Sequence, residues 1–365
     1  MIYREYGQTG KKVSLLGFGG MRFKDIDDTE ECVRMMVSAA EGGINYFDTA
    51  PGYFEGRSET VFGKGFREMR KRDLPYLAST KTTLSTESSI RREVEEQLKR
   101  LDVPAIDFYH IWCISSLEAW EKRKQNGVLK TLLKLKEEGL IRHICVSSHL
   151  IKNEIRDLLM EGVFEGVLFG YSAYNYKTRQ EAFDAIKEKK LGAVVMNPLG
   201  GGVIPQHPEI FNVISRNGES TVTAALRFLW DHPEISVTLV GFDTMAHLNE
   251  ALEATEGYIP RTTAELEEVK SKILTSFDGI CTGCAYCIAI NGIDCPQGIP
   301  IPKYMDAYNQ KLLDKITKDP IGERLYWHWN LERSGASKCT ACGQCVKACT
   351  QHINIIKRLK EIAKG

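Results

Sequence analysis

Net charge, long apolar runs and an export signal are all missing from this 365-residue chain, and each absence removes a class of function. Lys and Arg total 48 and Asp and Glu total 48, so no overall field recruits nucleic acid or an anionic membrane surface. No stretch approaches the apolar run of about 18 residues that marks a membrane span. The opening Met1-Ile-Tyr-Arg-Glu-Tyr6 has neither the basic start nor the apolar core of a signal peptide, which predicts a cytoplasmic protein in a reducing compartment. No Gly-x-Gly-x-x-Gly leads the first apolar segment into a helix, which argues against a doubly wound dinucleotide fold. The length suits a barrel-sized domain plus a small one, and 43% hydrophobic with 26% charged residues is ordinary for a globular protein.

What the chain does have is a cysteine-rich tail. Eight of its 11 cysteines lie between Cys281 and Cys349. Cys281-x2-Cys284-x2-Cys287 is followed, after seven residues, by Cys295-Pro296, and a second run reads Cys339-x2-Cys342-x2-Cys345-x3-Cys349. Each run has the spacing by which thiolates hold an iron–sulfur cube. The halves also echo each other: Cys281-Thr-Gly-Cys284 matches Cys339-Thr-Ala-Cys342, and Cys295-Pro-Gln-Gly-Ile-Pro-Ile301 matches Cys349-Thr-Gln-His-Ile-Asn-Ile355. Such a repeat reads as one unit duplicated around two sites. Structural zinc closes on paired Cys-x2-Cys knuckles and leaves the third cysteine of each run surplus, while disulfides need an exported chain. In two-cluster ferredoxins the fourth cysteine of each run serves the other cluster. On that pattern Cys281, Cys284, Cys287 and Cys349 hold one 4Fe–4S cluster, and Cys339, Cys342, Cys345 and Cys295 hold the other. The longer gap before Cys295 costs little to close and bears on which fourth ligand goes where, more than on whether a cluster forms.

Ahead of the tail, a hairpin is predicted around Gly7 to Gly10. A rhythm follows. Short β-rich segments fall near 15–19, 44–48, 75–80, 106–112, 141–146, 166–171, 193–197 and 236–240. Helical periodicity fills 29–41, 58–70, 87–101, 127–138, 152–161, 178–189, 221–231 and 244–254. Strands and helices alternating in this way predict a (β/α)8 TIM barrel over residues 1–258, with a C-terminal α-helical, ferredoxin-like iron–sulfur domain over 259–365. Chemistry in such a barrel sits where the strands end. The polar residues there are Asp48, Lys81, His110 with Trp112, Ser147-Ser148-His149, Tyr174-Asn175 and Asn197.

Phe47-Asp-Thr-Ala-Pro-Gly-Tyr53, Ser58-Glu59, Ser79-Thr80-Lys81, Arg142-His-Ile-Cys-Val-Ser-Ser148 and Asn197-Pro-Leu-Gly-Gly201 resemble the aldo-keto reductase family. With the cysteine tail, the whole chain resembles that family's ferredoxin-domain-containing members. The resemblance implies an oxidoreductase in which Tyr53 protonates a carbonyl oxygen as hydride arrives from a nicotinamide. A phenol titrates near 10, and a nearby Lys81 ammonium, held by Asp48, would favour its ionised form. Each residue alone reads as a barrel-closing ion pair or a loop aromatic; the three together at consecutive strand ends read as catalytic. The family places a histidine at the end of the fourth barrel strand, and Trp112 occupies that position here. Its indole can only donate. His110 lies two residues earlier, on the same face and deeper, and reads equally as a displaced partner or a core histidine. Tyr171 falls at or beside a nicotinamide-facing position of the family. Trp112 and Tyr171 would either stack on a flat cofactor or substrate, or fill space.

For the nicotinamide, the resemblance implies Ser147, Ser148 and Asn175 around the carboxamide. Gly200 and Gly201 would let backbone approach a pyrophosphate, or form a plain loop, and Gly241 to Thr244 would seat the adenosine phosphate. His247 stands where an arginine or lysine is usual, and Asp243 brings the wrong charge for a 2′-phosphate, which speaks against NADPH and, less strongly, against any nicotinamide. A hydride carries two electrons and each cluster one, which makes a flavin the natural intermediary, although no flavin fingerprint is visible. Two functions stand. The first is an oxidoreductase acting on a small-molecule carbonyl or related unsaturated group, wired through its clusters to a ferredoxin-type partner. The second is an electron-transfer subunit whose barrel has become a scaffold. Cys32, Cys113 and Cys145 read as small buried hydrophobes. Tyr326-Trp-His-Trp329 is expected to pack the tail and dry a cluster, and Lys357-Arg358-Leu-Lys360 reads as a solvated helix face.

Overall fold

A computed structural model describes residues 1–365 apart from 151, 174–175, 177–178, 217, 275–278, 282–285, 289–294 and 314–316. Strands β1 (Tyr3–Glu5) and β2 (Lys12–Ser14) form the expected antiparallel hairpin. The next eight strands close a parallel barrel: β3 (Leu16–Gly19), β4 (Tyr46–Asp48), β5 (Leu77–Thr82), β6 (Ile106–Ile114), β7 (Ile141–Ser148), β8 (Gly166–Gly170), β9 (Gly192–Met196) and β10 (Val237–Gly241), with β10 pairing back onto β3. Between them run α1 (Thr29–Glu41), α2 (Arg57–Lys71), α3 (Glu87–Leu101), α4 (Leu117–Gln125), α5 (Val128–Glu137), α6 (Lys152–Met160), α7 (Gln180–Lys189), the short α8 (Val203–Gln206) and α9 (Pro208–Phe211), and α10 (Thr221–Trp230). Helices α11 (Met245–Glu253) and α12 (Thr263–Leu274) follow β10. The barrel predicted from the alternation of apolar segments is present with every strand in its expected place.

Two longer helices, α4 and α12, escape the periodicity. α4 buries Trp120 alone and is mostly charged elsewhere, so it carries no apolar stripe to read. The barrel strands show the opposite: they are buried on both faces and read as continuous apolar runs. Inside the barrel, Tyr46, Phe108, Cys145, Leu168, Val194 and Val237 form one layer, closed from below by Tyr6 of the hairpin. The Tyr6 ring lies 4.2 Å from that of Phe108. It fits because Gly166 and Gly192 are bare; a Cβ at Gly192 would lie 2.1 Å from the ring. Cys32, Cys113 and Cys145 are all buried.

The chain divides into two compact units, Met1–Leu199 with Ile214–Val269, and Gly200–Val213 with Lys270–Gly365. The second contains α13 (Ile301–Leu313), α14 (Pro320–Glu323), α15 (Gln344–Lys347) and α16 (Ile355–Lys364), with a π-helical turn at Arg324–Trp329. Ile299, Ile301, Tyr304, Tyr308, Leu325, Ile353, Leu359 and Ile362 make its core, and Cys281, Cys287, Cys295 and Cys339 pack against it. The sequence repeat is also a backbone repeat. Gly298 N–H donates to Cys295 O at 2.7 Å and Ile301 N–H to Ile299 O at 2.8 Å; His352 N–H donates to Cys349 O at 3.0 Å and Ile355 N–H to Ile353 O at 2.8 Å. Both turns pass through positive φ, 62° at Gly298 and 53° at His352. Tyr326, expected to pack, is 62% exposed.

Gly192→Ala should destabilise the barrel by about 1–3 kcal/mol through overpacking against Tyr6. Chemical denaturation measures the loss, and Tyr6→Ala in the same chain should make Gly192→Ala nearly neutral.

Candidate active site and cluster ligands

β4 ends at Asp48, opposite Ser79 of β5, and this register brings the first polar group together. Lys81 Nζ donates to Asp48 Oδ2 at 2.5 Å and to the Thr49 carbonyl at 2.7 Å, and Ser79 Oγ donates to Asp48 Oδ1 at 2.7 Å. Asp48 and Lys81 are each 1% exposed. Burial pushes the carboxyl up and the ammonium down, and each partner is the strongest force holding the other in its charged form. Below them, Tyr46 OH donates to Ser79 Oγ at 3.2 Å and lies 3.4 Å from His110 Nε2. Ser79, absent from the expected set, completes this chain; it was detectable as the residue two before Lys81 on the same strand face.

Tyr53 opens the turn that follows β4. Phe54 and Glu55 take left-handed φ of 50° and 57° before Gly56 at 85°, a backbone path that sets the Tyr53 side chain at the barrel mouth. Its half-buried ring has Lys81 Nζ 5.4 Å from its centroid and meets Trp112 edge to face at 5.7 Å. Trp112 is aimed by an irregularity. β6 shifts register against β7 between Ile111 and Ile114, and Cys113 takes φ 61°; a bulge of this kind redirects a side chain. Arg123 of α4 donates to the Trp112 carbonyl at 2.6 Å, and bare Gly52 lets the indole approach to 3.1 Å of where a Cβ would stand. Asp48, Tyr53, Lys81 and Trp112 are therefore brought together. His110 sits beneath them, fully buried, its pKa lowered from 6.5 to about 3 by burial first and the Lys81 charge second.

The expected cofactor residues separate into groups. Ser147 is buried on the inner face of β7, and its Oγ has no hydrogen-bond partner among the described residues, so it suits an incoming carboxamide. Ser148 is engaged with backbone, donating to Ile114 O at 3.3 Å and accepting from Leu150 N–H at 3.2 Å. Asn175 lies outside the described residues. Tyr171 is not brought to Trp112. Its ring packs on Phe183 at 4.8 Å and its hydroxyl lies 3.0 Å from His232 Nε2, among the side chains of α7 and α10. The slot between two aromatics is absent, because Tyr171 shares the outward face of β8 with Phe169. Gly200, Gly201 and Gly202 all adopt positive φ, a run only glycine sustains. Thr244 caps α11 by accepting from His247 N–H, and His247 is paired with Asp243. Gly241 is covered by the Arg22 side chain, whose Cγ comes within 2.6 Å of where a Cβ would stand.

Of the cluster ligands, Cys284 lies outside the described residues. Burial raises Cys345 to about 11, and the charges of Cys339, Cys342 and Cys295 push the same way. Cys281 and Cys349 both act on the Arg358 guanidinium. Thiols in these two runs are the donors an iron–sulfur cage takes. Among the described residues no three His, Cys, Asp or Glu side chains close around a single ion. Asn309 clasps Cys281, accepting from its N–H at 2.7 Å and donating to its carbonyl at 2.6 Å, and Ile353 N–H donates to Cys349 Sγ at 3.4 Å.

Residues 15–273 match the aldo/keto reductase family, well over half of the chain. The chain belongs to that family. Residues 280–355 match a 4Fe-4S dicluster domain. L-galactose dehydrogenase of Arabidopsis thaliana is 27% identical over 73% of this chain and 93% of its own length; aldo-keto reductase YhdN of Bacillus subtilis is 25% identical over 71% and 89%. Among solved structures, aldo-keto reductase AKR11C1 from Bacillus halodurans in its holo form superposes with a TM-score of 0.65, covering 75% of this chain and 96% of that one at 23% identity, which shows the shared fold. The protein is an aldo/keto reductase-family oxidoreductase with a 4Fe-4S dicluster domain. Among the described residues no helix is long and apolar enough to cross a membrane.

His110 gives the barrel an acid sensitivity. Unfolded, it binds a proton as pH falls through 6.5; folded, it resists until about 3. Stability is therefore lost as pH falls between those values. From pH 7 to 4.5 His110→Gln should lose about 2–3 kcal/mol less unfolding free energy than wild type, measured by urea denaturation at both pH values.

Proposed function

We propose that the barrel reduces a carbonyl or related unsaturated small molecule with Tyr53 as the proton donor. The observation that carries this reading is the buried Asp48–Lys81 pair beneath the half-buried Tyr53 ring. Bound NAD(P)H would supply the hydride, and the two 4Fe–4S clusters held by Cys281, Cys284, Cys287, Cys349 and by Cys339, Cys342, Cys345, Cys295 would exchange single electrons with a ferredoxin-type partner. Tyr53 gives its hydroxyl proton to the substrate oxygen as that oxygen gains charge. The Lys81 ammonium, fixed by Asp48 and Thr49, stabilises the phenolate left behind. Ser147 Oγ is the group for the carboxamide. Asp243, already paired with His247 at the head of α11, repels a 2′-phosphate and favours NADH over NADPH. Tyr171 faces the helices and offers a flavin no second ring opposite Trp112.

A second reading has one observation in its favour. Trp112 stands where the family has a histidine and closes edge-on against Tyr53, which would leave the barrel a scaffold for an electron carrier.

The deciding measurement is anaerobic turnover and cluster bleaching with NADH and then NADPH. Tyr53→Phe should lower kcat by about 10²–10⁴-fold, the usual worth of a positioned acid, with cluster reduction by a strong chemical reductant unchanged. If Tyr53→Phe turns over like wild type, Tyr53 is not the proton donor; if wild-type protein consumes neither nucleotide, the scaffold reading replaces this one.

A further inference from the structure

Arg358, in the stretch expected to be a solvated helix face, is instead half-buried in the second unit. Its Nη2 donates to the carbonyl of Gly279, two residues before Cys281. The guanidinium lies over the Tyr308 ring at 4.6 Å, and its buried Nη1 has no hydrogen-bond partner among the described residues. The charges of Cys281, clasped by Asn309, and of Cys349 both act on it. The nearby Glu361 carboxylate is engaged elsewhere, accepting from Tyr308 OH at 2.5 Å and Lys311 Nζ at 3.2 Å.

The internal repeat supplies the control. Arg358 lies nine residues after Cys349, and the residue nine after Cys295 is Tyr304. Tyr304 does the same mechanical work in its half: it is buried in the core and its hydroxyl donates at 2.7 Å to the carbonyl of Glu332, in the segment leading into Cys339. A neutral side chain is thus sufficient to staple the lead-in of a cysteine run. The positive charge of Arg358 is surplus to stapling.

We propose that Arg358 raises the reduction potential of the cluster built on Cys281, Cys284, Cys287 and Cys349, a polarity that Tyr304 withholds from the other cluster. This rests on the ligand pairing given above. Reduction adds one negative charge to an already anionic cage, and a half-buried guanidinium beside two of its thiolates favours that state. The duplicated domain then carries two unlike electron sites.

The test is an EPR-monitored redox titration of the cluster-loaded full-length protein, alongside iron and sulfide content. Arg358→Gln keeps a donor for Gly279 and removes the charge; Arg358→Lys keeps the charge and loses the planar fork. For Arg358→Gln, the reduced-to-oxidised ratio of one cluster should fall at least tenfold at fixed poise, about 59 mV for one electron, with the other cluster unmoved. Arg358→Lys should stay within about threefold of wild type, as a retained charge requires. Unchanged potentials in Arg358→Gln, equal shifts in both clusters, or equal shifts in Gln and Lys variants would overturn the proposal. If Arg358→Gln fails to hold its iron, Glu361→Gln decides: with the opposing charge removed, the same cluster should move up, and no movement ends the idea. Wild-type protein with fewer than two clusters would instead overturn the ligand pairing.

Discussion

Two opposite charges with almost no contact with water set the terms for the barrel mouth. Asp48 and Lys81 would each be costly to bury alone, and their attraction is helped to offset that cost by further hydrogen bonds to both partners. Ser79 takes one carboxylate oxygen, Lys81 the other, and the ammonium's second bond goes to the Thr49 carbonyl. This couples two strand ends and the start of the Tyr53 loop into one rigid object. Replacing the pair with apolar side chains would serve stability as well or better. What such a replacement could not supply is a fixed cation beside a phenol. The neutral His110 below adds a polar contact without a competing charge.

The second unit is organised by duplication. Its two halves share a cysteine, a turn through positive φ, a backbone bond at the following isoleucine and the start of a helix. Identical scaffolds would give two near-identical redox sites, so any difference must come from side chains at equivalent places. The sharpest such difference is Tyr304 against Arg358. Ile353 N–H on Cys349 Sγ adds a hydrogen bond of the kind that also modifies cluster potential.

The barrel was legible because parallel strands buried on both faces leave contiguous apolar runs, and the grouping of Asp48, Tyr53 and Lys81 was legible because β4, the turn after it and β5 carry them in succession. What was hidden shares one cause: direction is not written in spacing alone. Tyr171 sits one residue past β8, where period-two alternation sends it among Phe183 and Phe228. A bulge at Cys113, invisible in composition, aims Trp112, and α4, invisible in periodicity, anchors it. The Arg358 stretch looked solvated because its neighbours Lys357 and Lys360 are exposed, yet one helical position turns it onto Tyr308. His110 is fully buried on the strand that also carries Trp112.

The two halves of the chain pose a matching problem in electron count. A hydride brings two electrons together, whereas a single cluster takes one. Two clusters together hold two electrons, the number a hydride carries. Capacity is not order, however. Two sites of equal potential fill at random, and half-loaded molecules then differ in which site holds the electron. A charge placed beside one site and a neutral ring at the equivalent place beside the other gives loading a sequence. On the proposal made for Arg358, the neutral-for-charged exchange at one repeat position would be the smallest change that turns a duplicated fold into an ordered two-electron store.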